Sequence, residues 1–209
     1  MRGGGCQACR AAQLHFGHSY CGPRPLRVGR RTVAGLFCAI GNVTGDHKVS
    51  QENCVVVLNR YSTFEDFKAE AVARIKDFSA QFDIGNYQRV GLRYVNHIEL
   101  PPEDLLGTLQ RFVNVPVDLE RFDPKRIEQF MTEFRLRTGV SKLTVRGALI
   151  QVPASPQQTL YILDLDCYSY GPCPATALPD LLEGFHREIQ IQFLEHIREE
   201  YKIMMRGAR

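Results

Sequence analysis

The stretch Tyr87–Leu100, YQRVGLRYVNHIEL, constrains the fold more than any other part of the chain. Val90, Leu92, Tyr94, Asn96, Ile98 and Leu100 alternate with Arg89, Gly91, Arg93, Val95, His97 and Glu99. A period of two is the signature of a β-strand whose side chains point to opposite faces of a sheet. One face is largely apolar and needs cover, while the other carries Arg89, Arg93, His97 and Glu99. Pro101-Pro102 ends the strand, because proline has no N–H to give to a ladder.

The cover is expected from the segment just before. Over Ser62–Phe82, Phe64, Phe67, Ala71, Ile75, Phe78 and Phe82 recur at spacings of three and four, which places them on one stripe of a helix. Ser62 and Glu65 have the spacing of a capping box, and Gly85 is the expected stop. Further upstream, His47–Leu58 reads as a hairpin turning near Gln51–Asn53, with Cys54 as a small core residue.

Downstream, Pro102–Val113 reads as a short helix and Val115–Pro124 as a connector. Arg126–Arg137 fits a helix and a strand about equally. A strand is preferred for its second half, because the Thr138-Gly139 turn follows. Lys142–Val152 and Thr159–Tyr168 form an antiparallel pair, and Ser169–Pro174 reads as a Gly/Pro loop. Thr176–Met205 keeps a three/four spacing through Leu178, Leu182, Phe185, Ile189, Phe193, Ile197, Tyr201 and Met204. It is expected to be one helix of roughly 45 Å. That is longer than a small sheet can cover, so its far half offers a surface for a second subunit or a protein partner.

Residues 1–45 behave differently. They hold six Arg and no acidic residue, so removing them from the net charge of +3 leaves −3 on the rest. The body is mildly acidic, and charge alone does not point to nucleic acid. Cys6, Cys9, His18 and Cys21 have a zinc-knuckle spacing, but nothing around them resembles a fold that would hold the ion. The expectation is an irregular leader, or codons translated upstream of the true start. Seven Cys, four of them in this segment, make no disulfide framework. No apolar run reaches the ~18 residues that would span a bilayer. No membrane association is therefore expected, and a reducing, cytoplasmic setting is.

The Arg89–Asn96 segment RVGLRYVN, followed by Ile98 and the proline pair, resembles a sporadically distributed, uncharacterised bacterial family. The similarity extends to Leu163–Asp166 and to His186–Met205. The resemblance implies a strand and a helix ahead of the hairpin, which residues 1–45 do not supply. It thus implies an α+β fold with antiparallel sheet packed on helices. The domain would span 46–206 in two loosely repeated halves, 46–113 and 114–206, the first a truncated ferredoxin-like unit.

Chemistry is concentrated on one polar sheet face. Arg89, Arg93 and His97 share a face of their strand, and Asp164 and Asp166 share a face of a later one. Arg135, Arg137 and Arg146 lie on the strands between in sequence. Three functions fit these residues. The first is a non-enzymatic binding or interaction protein. The second is a metal-dependent hydrolase or nuclease using Asp164, Asp166 and His97. The third is a nucleic-acid binder using Arg89, Arg93, Arg135 and Arg146. A cross-strand ion-pair ladder accounts for the same residues without any ligand. His186 and His196 read as surface residues of the long helix. No P-loop, nucleophile elbow, HExxH or dinucleotide fingerprint occurs, so no cofactor is expected.

Overall fold

The structure, a computed structural model, describes residues 30–39, 53–58, 63–123, 126–127, 129–152 and 155–207. Among the described residues six strands form one sheet: β1 Arg30–Ala39, β2 Asn53–Leu58, β3 Asn86–Leu100, β4 Phe130–Thr138, β5 Ser141–Val152 and β6 Ser155–Pro174. Their spatial order is β2-β1-β3-β6-β5-β4, and every neighbouring pair is antiparallel. Four α-helices among the described residues complete the α+β fold: α1 Phe64–Phe82, α2 Leu105–Phe112, α3 Leu178–His196 and α4 Glu199–Gly207. Within the described residues, no helix is long and apolar enough to cross a membrane.

The first half is a split β-α-β unit. Strands β2 and β3 both run antiparallel to β1, which fills the slot between them, and α1 makes the crossover. Ferredoxin-like orders are built from this unit. The second half is a plain meander, β4-β5-β6, followed by helices. Apolar residues of both halves form one contiguous core.

Strand β3 occupies the middle of this arrangement. Val90, Leu92, Ile98 and Leu100 are buried beneath the helices, as the alternation requires. Its partner on one side is β1, which corrects the expectation of an irregular leader over 30–39. Strand β1, RRTVAGLFCA, has small and charged residues where a clean period of two would need apolar ones. Its place depends on backbone pairing with strands on either side, which a local pattern does not reveal. The remainder of 1–45, including the Cys6–Cys21 spacing, lies outside the described residues. So does the expected 47–52 arm of a hairpin; β2 pairs instead with β1.

The other partner of β3 is β6. Ser169–Pro174 is not a loop. It continues β6 and pairs with Asn86–Val90 across a register shift near Tyr87. Gly171, at φ 108°, supplies backbone freedom that other residues lack.

The helix boundaries follow local chemistry. Thr63, not Ser62, caps α1: its hydroxyl accepts from the Asp66 N–H at 3.2 Å. Asp83, not Gly85, adopts the left-handed conformation that ends the helix. The apolar stripe is buried through Phe64, Phe67, Ala71 and Ile75, whereas Phe82 is exposed.

The long C-terminal helix is in fact two helices. At Ile197 the backbone turns extended, with φ −98° and ψ 139°. Ile197 forms a β-bridge with Val113, and Arg198 N–H donates to the Phe112 carbonyl at 2.8 Å. Helix α4 then folds back on α2, with the Tyr201 and Phe112 rings 5.2 Å apart. Ile197 and Tyr201 are fully buried, so this stripe completes the core. The spacing hides the break, because both helices present their apolar residues to the same interior. No Pro or Gly marks the junction.

Candidate functional site

The register brings all seven polar candidates to the face of the sheet away from the helices. Arg89, Arg93 and His97 lie on β3; Asp164 and Asp166 on β6; Arg146 on β5; Arg135 on β4. Strand β6 lies directly beside β3, so the carboxylates sit next to Arg89 and Arg93, with β5 and β4 beyond.

Asp164 is the hub. The Arg93 guanidinium donates to both its oxygens, Nε to Oδ1 at 2.7 Å and Nη2 to Oδ2 at 2.8 Å. This two-pronged geometry matches the planar fork of arginine to the carboxylate. Arg146 Nη1 adds a third bond to Oδ2 at 3.3 Å, and Arg146 Nε reaches Glu133 Oε2 at 2.6 Å. Arg135 closes the row on Glu133 at 3.0 Å. A chain of alternating charge thus runs from Arg93 through Asp164, Arg146 and Glu133 to Arg135. Asp166 stands one step along β6 and pairs with Arg89 at 3.3 Å.

The charges perturb one another as this geometry demands. Hydrogen bonding to Asp164 holds the Arg93 pKa up against the opposing effect of burial. Burial pulls Arg146 down, but bonds to Glu133 and Asp164 outweigh it and the net shift is upward. The Arg146 bond holds Glu133 below the usual carboxylate range. Burial pushes Asp166 up, against the pull of Arg89 and Arg93.

Metal chemistry does not fit this arrangement. Guanidinium donors engage both oxygens of Asp164 and one oxygen of Asp166. His97 is registered against Ile162, not against either aspartate. Among the described residues, no group of three His, Cys, Asp or Glu is placed to hold a metal ion. The alternative reading, a metal centre of Asp164, Asp166 and His97, is therefore not assembled among the described residues. The described thiols are poor nucleophiles as well. Burial, with Glu188 and Asp166 nearby, pushes Cys167 up to about 12, and burial raises Cys54 and Cys173.

The arrangement is layered. The Asp164 side chain is 7% exposed while Arg93 above it is 51% exposed, so solvent meets mostly guanidinium. At one corner Arg89 lies 4.7 Å from the Tyr168 ring centre, and Lys142 lies 5.4 Å from that of the half-exposed Tyr170. Sequence reasoning misses Glu133, Lys142, Tyr168 and Tyr170. Glu133 is findable, because FMTEFRLRT alternates Glu133, Arg135 and Arg137 with apolar positions. The sequence pattern puts Tyr168 at the end of a strand and Tyr170 in a loop, which conceals the face they share.

His186 is not a plain surface residue. Its ring stacks on Phe64 at 3.9 Å and its Nδ1 lies 3.2 Å from the Tyr94 hydroxyl. Burial lowers its pKa, against Glu65 and Glu183. Two open grooves, of about 310 and 490 Å³, run along the connector after α2, and no Arg or Asp of the polar face lines either. No family model matches the chain, and no curated protein or solved structure is significantly similar to it.

Proposed function

We propose that this chain is a non-enzymatic binding protein, and that its partner-facing surface is the open face of the sheet. The observation that carries the reading is the layering of charge. Asp164, a carboxylate that could have served as acid, base or metal ligand, is neutralised from above by Arg93 and Arg146, and both arginines are more exposed than it is. Such a surface favours an anionic partner.

The corner made by Arg89, Lys142, Tyr168 and Tyr170 favours single-stranded nucleic acid among anionic partners. Aromatic rings give bases something to stack on, and adjacent cations track the phosphates.

The test is anisotropy of a labelled single-stranded oligonucleotide across a salt series. Binding is expected to weaken steeply with salt, and Lys142→Ala combined with Tyr170→Ala is expected to weaken it about tenfold or more. Binding that ignores salt, or none at low salt, would defeat the proposal.

A further inference from the structure

Strand β4 ends the sheet, and among the described residues nothing pairs with its outer edge. It runs nine residues, FMTEFRLRT, in unbroken register with β5. It contains no Pro, Gly or bulge to blunt the edge, and its charged residues, Glu133, Arg135 and Arg137, all lie on one face. On the helix side the cover gives out, leaving Phe134 43% and Leu136 36% exposed. Beside its start lies the groove of about 490 Å³ lined by Phe122, Ile127, Phe130 and Met131. At its far end the turn Gly139-Val140 presents Val140 at 91% exposure.

We infer that this edge is the interface between two copies of the chain, joined β4 to β4 into a continuous antiparallel sheet. The occupant is argued from self-complementarity. Antiparallel pairing about a twofold axis keeps each residue on its own face only if the axis passes through a residue pair. An axis at Glu133 sets two carboxylates opposite each other, and an axis at Arg135 sets two guanidiniums opposite each other. An axis at Phe134 pairs Glu133 with the partner's Arg135 twice and sets no like charges opposite. It also uses all nine residues of the strand.

The same axis brings the apolar features together. On the helix side, Phe134 meets the partner's Phe134, and Leu136 meets the partner's Thr132. Beyond the paired residues, Val140 is carried beside the partner's Ile127 and Gln129, where the apolar groove lies. The Glu133–Arg135 pair already exists within one chain at 3.0 Å, so its exchange between chains needs only side-chain rotation. The inference stands independently of what the open face binds.

The test uses the full chain without ligand. Sedimentation equilibrium at roughly 50 µM, well above micromolar dissociation constants, is expected to give the mass of two chains. Arg135→Glu puts carboxylates opposite each other twice and is expected to raise the dissociation constant about tenfold or more, with an unchanged circular dichroism spectrum. Phe134→Cys is expected to cross-link to itself under mild oxidation, because facing Cβ atoms lie ~5 Å apart. Leu136→Cys, which faces the partner's Thr132, is expected to cross-link far less. A monomeric wild-type chain overturns the inference. So does Phe134→Cys that cross-links no more than wild type, or a dimer indifferent to Arg135→Glu.

Discussion

The two faces of β6 meet opposite demands within one strand. On the helix side Tyr161, Leu163, Leu165 and Cys167 are almost fully buried and need only shape and volume from their neighbours. On the open side Asp164 is nearly as buried, yet it is a carboxylate, so it needs charge and hydrogen bonds at fixed geometry. The helix face is covered by other elements of the chain. On the open face, Asp164 is covered by arginines that reach across from the neighbouring strands. Burial therefore has two origins here. Hydrophobic burial tolerates modest changes of shape, whereas ionic burial fails as soon as one partner is removed.

The largest break in this comparison is expected on the helix face. Leu163→Ala leaves a cavity under α3 and should cost about 2–5 kcal/mol, read from urea or thermal unfolding. Next comes Asp164→Asn, which strips Arg93 of its carboxylate partner and leaves Arg146 with Glu133. Half-exposed Arg93 can turn to water, so about 1–3 kcal/mol is expected at neutral pH. A loss as large as that of Leu163→Ala would mean the ionic layer is as structural as the core.

Asp166→Asn sharpens the contrast, because Asp166 holds a single 3.3 Å partner. Its pKa is raised in the folded state, chiefly by burial. A raised carboxylate favours folding while protonated, and that contribution is lost as pH rises through the folded value. Asparagine resembles the protonated form, so the change should be neutral or stabilise by under about 1 kcal/mol at neutral pH and remove part of the acid-range slope.

The smallest effect expected is at His186, where the helix face holds a titratable ring. Its folded pKa lies below 6.5, so the unfolded chain binds the proton better. Stability should fall as pH drops from 6.5 toward that lowered value. His186→Phe, which keeps the stack on Phe64, should flatten the decline in urea midpoints. An unchanged slope would place the titration elsewhere.

Elements with a strong local period are legible in the amino-acid sequence alone. Strand β3, the stripe of α1 and the faces of β5 and β6 all follow from spacing, and so does the grouping of Arg89, Arg93 and His97 on one face. The elements that escape such reading have a common physical cause. Strand β1, the Ser169–Pro174 extension and the break at Ile197 are set by backbone hydrogen bonds to distant residues. Backbone groups are the same at every position, so no side-chain pattern announces them. The cap at Thr63 shows a milder form, since neighbouring Ser and Thr can both cap and geometry chooses between them.

The sequence by itself determined which face of its own element each of these side chains occupies, because a period of two or 3.6 is a local property of the backbone. It therefore determined that arginines and aspartates would look outward together. Only the tertiary structure decided that β6 would lie beside β3, and hence that Asp164 would receive both Arg93 and Arg146. Strand order depends on which pairing of the whole chain buries the most apolar surface with its backbone satisfied, and no single segment contains that sum.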